Sequence, residues 1–241
     1  MKAFLLAAGL GTRLKPFTDK HPKALAEVNG KSLLEWNIRR LQTFGINDVV
    51  INVHHFADQI ENTLAINKGF GSRYEISDER SAVLETGGGL LHAAQLLQED
   101  RTCLVMNVDI LSNINLHKLI EQHQQSNALA TLAVQQRPSS RYFLFNQEQR
   151  LCGWEHRDTG EVKIPKEGLQ KSDLRPLAFS GIQVIQTQLM DLIQLRGKFS
   201  LVAAYLSLCA TEKIMAWNHT GDLLLDVGKP ESLQRAAQLF S

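Results

Sequence analysis

The residues best suited to chemistry lie in the first stretch of the chain, Lys2 to Lys23. An apolar run, Ala3 to Ala8, ends in Gly9-Leu10-Gly11-Thr12-Arg13, and Pro22-Lys23 follows. A short apolar run closed by glycines predicts a buried strand entering a tight turn. Glycine carries no Cβ, so the backbone there can approach a ligand closely. Successive amide N–H groups in such a turn, or at the start of a helix, attract anions. Arg13 and Lys23 add full charge, and an arginine can grip two phosphate oxygens at once. The stretch predicts a polyphosphate loop. An ordinary strand-to-loop turn with solvated Arg13 and Lys23 is the alternative these residues leave open. The loop is not of the Walker type, since no Gly-Lys-Ser/Thr follows, and Leu14 stands where a dinucleotide fingerprint needs its third glycine. A signal peptide is not expected, because the run is short and enters Gly-Thr-Arg without a small-x-small cleavage site.

Two carboxylates stand at comparable places. Asp109 closes the apolar run Thr102 to Val108, and Asp226 closes another just before Gly228. Ligands of open α/β sheets bind beyond the carboxyl ends of the strands. An unpaired carboxylate at a buried edge is costly, and a divalent cation gives Asp109 a reason to be there. A turn cap for Asp109 and a carboxylate bonded to backbone amides for Asp226 are the alternatives. The run Leu84-Glu85-Thr86-Gly87-Gly88-Gly89 opens an amphipathic pattern. It permits close backbone approach, or is only a flexible helix entry. His54-His55 ends a strand pattern with its two rings on opposite faces, which favours a structural role over a ligand pair.

Taken together, Gly9-Leu10-Gly11-Thr12-Arg13-Leu14-Lys15-Pro16, Pro22-Lys23-Ala24-Leu25, Asn107-Val108-Asp109, Phe179-Ser180-Gly181-Ile182 and Leu225-Asp226-Val227-Gly228 resemble the motifs of the sugar-1-phosphate nucleotidylyltransferases. The resemblance covers nearly the whole chain. It implies a nucleoside triphosphate and a sugar 1-phosphate as partners, with pyrophosphate leaving. It implies nucleotide contacts at Leu6, Ala8, Gly9, Gly11, Thr12, Arg13, Lys23, Glu85, Thr86, Gly87 and Gly88. Contacts to the sugar phosphate are implied at Asn107, Glu155, Ser180 and Gly181. Asp109 and Asp226 would hold Mg²⁺, and Arg13, Lys23 and Asp109 would be catalytic. Val108 departs from the usual glycine of the metal motif, and Glu155-His156-Arg157 stands where many relatives have Glu-Lys-Pro. The sugar phosphate is already an anion, so the reaction needs no general base, in keeping with a sequence that shows no Ser/His/Asp or Cys/His constellation. The stretch Leu84 to Gly89 and the short chain favour members that use UTP and N-acetylmuramate 1-phosphate, with mannose-1-phosphate guanylyl transfer as the alternative. A non-catalytic sugar-nucleotide-binding domain, a nicotinamide-dependent oxidoreductase and a cytidylyl- or molybdopterin-type transferase are the rival classes.

The elements that must position these residues alternate between strand and helix, predicting an α/β fold. The expectation is a three-layer, Rossmann-like, doubly wound, mostly parallel sheet with a small antiparallel hairpin part. Strands are expected over Asp48 to Val53, Arg73 to Ile76, Thr102 to Val108, Ala128 to Val134, Pro176 to Ile185 and Lys213 to Trp217. Ser32 with Glu35 forms a capping box for a helix to Phe44. Further helices are expected over Ala57 to Ile66, from Gly87 to Leu97, through His117 to Gln124 behind an Asn115 cap, and over Gln188 to Leu195 and Ser200 to Cys209. Pro230 suits the first position of the last helix. Tyr142 to Phe145 and Leu151 to Glu155 read as a hairpin, and Arg157 to Arg175 as an irregular, mobile loop. One domain over 1–241 is expected, with a nucleotide part at about 1–135, a sugar part at about 136–228 and a C-terminal helix at about 230–240. No repeat-built β-helix follows, so no second acetyltransferase activity is expected.

Composition is that of an ordinary soluble globular protein. The 241 residues are 44% hydrophobic and 21% charged, with a net charge of +1. That balance argues against nucleic-acid and membrane-surface partners. No run approaches the roughly 20 apolar residues that span a bilayer. Cys103, Cys152 and Cys209 are scattered in apolar settings, which predicts buried free thiols, a reducing compartment and a cytoplasmic location. Oligomeric state has no signature in the sequence.

Overall fold

The structure is a computed structural model that describes residues 1–166 and 168–240. Its spine is β1 (Ala3–Leu6), every residue of which is buried. Ala3 and Leu5 face one side of the sheet, Phe4 and Leu6 the other, the two-residue period of a strand covered on both faces. A small hairpin follows, β2 (Glu27–Val28) with β3 (Lys31–Ser32). Then comes α1 (Leu33–Thr43), where the Ser32 side chain accepts from the Glu35 amide. Gly45 ends that helix at a positive φ of 75°. The chain continues through β4 (Asp48–Val53), α2 (Ala57–Ile66) and β5 (Arg73–Asp78). It then forms α3 (Glu85–His92), α4 (Ala94–Leu97), β6 (Thr102–Asn107) and β7 (Ile110–Ser112). The strands β1, β4, β5 and β6 pair in parallel.

The second half contains α5 (Leu116–Ser126), whose Asn115 cap accepts from the Lys118 amide. It continues with β8 (Ala130–Gln135), β9 (Arg141–Phe145), β10 (Leu151–His156), β11 (Glu161–Lys163) and β12 (Arg175–Gln186). The short α6 (Leu189–Leu192), then α7 (Leu201–Leu208), β13 (Ile214–Asn218), β14 (Leu224–Asp226) and α8 (Pro230–Leu239) complete it. The main sheet runs β11-β10-β9-β12-β6-β1-β4-β5, with β8 and β13 joined at β12. On one face α1, α2 and α5 cover it; on the other lie α3, α4 and α7. A separate small core gathers Leu14, Val28, Leu33, Leu111, Leu225 and Ala236 where β7, β14 and α8 meet.

Several expectations change. The antiparallel part is larger than one hairpin, because the 12-residue β12 pairs antiparallel with β6, β8 and β9. The segment from Arg157 to Arg175 is not an irregular loop throughout. Residues 161–163 extend the hairpin as β11 against β10, and Lys171–Asp173 form a 3₁₀ turn; Glu167 lies outside the described residues. The helix expected to Leu97 breaks at Ala93, and the one expected to Leu195 stops at Leu192, where Ile193 turns extended. The His55 ring packs on Phe56 with centroids 3.9 Å apart. The three cysteines are buried and free, and burial raises all three thiols, Cys103 to about 12. Among the described residues no helix is long and apolar enough to cross a membrane.

His123 on α5 gives the fold a pH dependence. Its ring is buried against Thr131 Oγ1 at 3.0 Å, and burial lowers its pKa to about 4. The unfolded imidazole takes a proton near pH 6.5 while the folded one does not, so stability is lost as pH falls below that value. Lowering the pH from 7 to 5 is expected to remove about 2 kcal/mol through this ring. Urea unfolding of wild type and His123→Leu at both pH values checks this; equal losses would contradict it.

Candidate active site

The site lies beyond the carboxyl ends of β1, β4 and β6. After Leu6 the backbone leaves the sheet, and the Ala7 and Ala8 amides both donate to Asn52 Oδ1, at 2.6 and 3.2 Å. Asn52 Nδ2 in turn donates to Glu79 Oε1 at 2.7 Å. Glu79 is 1% exposed, and burial raises its carboxyl above the ordinary range. Its Oε2 finds no hydrogen-bond partner among the described residues. The loop then turns through Gly11 at φ 62°. A Cβ there would lie 2.9 Å from the Thr18 methyl and 3.0 Å from Lys23 Cβ, so glycine is required both by conformation and by space. The Gly11 carbonyl accepts from the Leu14 amide and the Thr18 hydroxyl.

Lys23 reaches across this loop to Asp109, with Nζ 2.5 Å from Oδ2; both side chains are largely buried. Asp226 pairs with Arg13 at 3.5 Å, both half-exposed. The two aspartates are brought together by the backbone. β14 lies antiparallel to β7 with Asp226 opposite Ile110, and the Val227 amide donates to the Asp109 carbonyl at 2.8 Å. Gly228 keeps this corner open, since a Cβ there would sit 2.7 Å from both Asp226 Oδ1 and Arg13 Nη2. Among the described residues no cluster of three His, Cys, Asp or Glu could cage a metal. Two carboxylates nevertheless suit Mg²⁺, which keeps several waters and takes one or two protein carboxylates plus substrate phosphates. The donor set fits that ion.

These elements enclose a cleft of about 500 Å³. Leu6, Ala8, Gly9, Gly11, Thr12, Lys23, Glu85, Thr86, Asn107 and Asp109 line it, and Arg13 pairs with Asp226. Glu85 holds a positive φ of 60°, sparsely populated for a residue with a side chain. Gly87 and Gly88 differ from expectation. They lie inside α3, and their amides both donate to the Phe199 carbonyl, at 2.9 and 3.1 Å. A Cβ at Gly87 would strike the Phe199 ring at 2.5 Å, and one at Gly88 the Gly197 carbonyl at 2.3 Å. These glycines let α3 pack on the chain entering α7; their amides do not face the cleft. Thr86 serves the same junction, accepting from the Leu201 amide at 2.9 Å.

On the sugar side, Gly181 lies at φ 71° where β12 shifts register, and a Cβ there would be 2.9 Å from Asn107 Nδ2. Ser180 is buried and meets His219 Nε2 at 2.8 Å, while His219 Nδ1 lies 3.6 Å from Asp222. The fold therefore assembles a Ser/His/Asp arrangement that the sequence did not show. It is closed to substrate, with Ser180 1% and His219 5% exposed, and burial lowers the imidazole to about 4. Ser180 holds β12 rather than facing the cleft. Glu155 does not line the cleft either. It lines a separate cavity, bound by Lys171 at 2.6 Å and Arg157 at 3.2 Å. Burial pushes its carboxyl up, but these two cations outweigh that and hold it below the ordinary range. Asn52, Glu79, Lys198 and Ser200 line the cleft without having been singled out in the sequence. The apolar-to-polar change at the end of β4 was the one available signal, for Asn52.

The chain belongs to the nucleotidyl transferase family, whose sequence model matches residues 2–240. It is an enzyme of the sugar-1-phosphate nucleotidyltransferase class. It is 33% identical to an N-acetylmuramate alpha-1-phosphate uridylyltransferase of Caulobacter vibrioides over 91% of each chain. To the enzyme of that description in Neisseria meningitidis serogroup B it is 30% identical, over 99% of this chain and 98% of the other. The fold matches HddC from Yersinia pseudotuberculosis, solved with GMP-PN, with a TM-score of 0.77 at 20% identity over 100% of this chain and 99% of that one.

Proposed function

We propose that the chain transfers uridylyl from UTP to N-acetylmuramate 1-phosphate and releases pyrophosphate. The observation that carries this reading is the pairing of Lys23 with Asp109 and of Arg13 with Asp226 at one mouth of the cleft. Four charges of the required kinds stand there on a loop and two strand ends. The relatives similar over nearly their full length are uridylyltransferases for that sugar phosphate, which supports the substrate pair. Residues from the N-terminal half bind the nucleotide and those after about 136 the sugar, within one domain.

In this account the amides of Gly9 to Thr12 and the Arg13 guanidinium hold the β- and γ-phosphates. Lys23 lies against the α-phosphate and neutralises charge that grows as the bond to pyrophosphate breaks. Asn107, held against Gly181, orients the incoming sugar phosphate for in-line attack. Asn52 and Glu79, which line the cleft, offer the base hydrogen-bonding groups. Asp109 and Asp226 would hold Mg²⁺, which when bound would supply charge neutralisation across the reacting phosphates. Lys23 and Arg13 shift from the aspartates to the phosphates when substrate enters.

The test is kcat/KM for pyrophosphate release across the four ribonucleoside triphosphates and dTTP, each with a panel of sugar 1-phosphates and Mg²⁺. The expected result is a preference of at least about 10²-fold for UTP with N-acetylmuramate 1-phosphate, the scale that a few hydrogen bonds to substrate supply. A stronger response to GTP with mannose 1-phosphate would overturn the substrate reading.

A further inference from the structure

The sugar half carries a second concentration of positive charge that the transfer reaction itself does not use. A cavity of about 470 Å³ is lined by Gln136, Arg137, Ser139, Tyr142, Arg157 and Pro176. It adjoins the cavity of Glu155 and Lys171, of about 370 Å³, and the two share Arg157 and Pro176. The two linings together hold Arg137, Arg157 and Lys171 and one carboxylate, Glu155. Lys171 and Arg157 share that carboxylate, and Arg157 also lies over the Tyr142 ring at 4.3 Å. Arg137 has no carboxylate partner within salt-bridge distance, and its Nε finds no hydrogen-bond partner among the described residues. Its other nitrogens donate to the Phe179 carbonyl at 3.0 Å and the Pro138 carbonyl at 3.4 Å, which fixes the guanidinium on β12. Burying an arginine without a counter-charge is costly unless something supplies one.

The cavity is close to the reaction centre. Phe179, which holds Arg137, is two residues from Gly181, and Gly181 abuts Asn107 in the nucleotide cleft. A sugar whose phosphate sits at Lys23 and Asp109 would extend its ring along β12 toward Arg137. An anion held by Arg137 would then be a second acidic group on the sugar, distinct from the reacting phosphate. Arginine's planar fork suits a carboxylate held by two parallel hydrogen bonds.

We propose that the cavity of Arg137 and Arg157 is a carboxylate subsite that selects a sugar 1-phosphate bearing an acidic substituent over its neutral counterpart. The inference rests on the transfer reaction proposed above, and deepens it by naming the residues that choose the sugar. The experiment compares N-acetylmuramate 1-phosphate with N-acetylglucosamine 1-phosphate, which lacks only the carboxylate-bearing ether, in wild type, Arg137→Gln, Arg137→Lys and Arg157→Gln. In Arg137→Gln the ratio of the two KM values, acid over neutral, is expected to rise about 10- to 100-fold, as for loss of a charged hydrogen bond. Arg137→Lys should recover part of that ratio. Arg157, exposed and away from the β12 backbone bonds, gives the same readout should Arg137→Gln fold poorly. An unchanged ratio in folded variants overturns the subsite. If wild type turns over neither sugar, the transfer reading fails, and calorimetric binding of the same two sugar phosphates carries the test. A wild-type preference for the acid that Arg137→Gln abolishes supports the subsite; equal binding overturns it.

Discussion

Replacing Asp109 by asparagine is expected to lower kcat about 10³-fold, the scale of losing a charge that stabilises the transition state. Asn keeps the shape but not the charge, so it would hold Mg²⁺ and the Lys23 ammonium less well than the carboxylate. The pair is largely buried, with Nζ and Oδ2 2.5 Å apart, so some stability is lost as well. A neutral amide can still accept from Lys23, which limits that loss to about 1–2 kcal/mol. Turnover and urea unfolding measured on one preparation separate the two effects. A variant that unfolds early but turns over normally would make the Lys23–Asp109 pair structural.

The second large effect falls on stability. Gly88→Ala is expected to cost about 3 kcal/mol or more, because its Cβ would sit 2.3 Å from the Gly197 carbonyl, a backbone atom that cannot rotate away. The damage should spread to the Phe199 carbonyl, which accepts from both Gly87 and Gly88, and so loosen α3 from α7. If these glycines instead served to bring amides to the base, the variant would fold normally and lose nucleotide affinity. Thermal unfolding together with UTP binding decides between the two, and normal stability with weakened binding would refute the packing role.

What was legible in the sequence was mostly local. The caps at Ser32 and Asn115 depend on residues three positions away, and a strand ending in Gly-x-Gly or in Asp announces itself by composition. The central sheet followed from the alternation of strands and helices. What stayed hidden was set by register and by distant partners. Asn52 reaches the loop because β4 pairs with β1 so that Leu6 lies opposite Asn52. Glu79 joins it because β5 continues the same parallel stack. The role of Gly87 and Gly88 depends on Phe199, more than 100 positions later. The Ser180–His219–Asp222 contact needed β12, β13 and the turn after it to be placed first. β11 is three exposed residues, too short and polar to show a period.

The central claim is that one cleft joins a nucleoside triphosphate to a sugar 1-phosphate through charges held by Lys23, Arg13, Asp109 and Asp226. Phosphorus NMR of UTP and N-acetylmuramate 1-phosphate with Mg²⁺ and the purified chain tests it most directly. The account predicts that both substrate signals decline together while pyrophosphate and a uridine diphosphate sugar rise in equal amounts, and that Asp109→Asn slows this about 10³-fold. Both substrates persisting while bound to the wild-type protein, or equal rates in the variant, would contradict it.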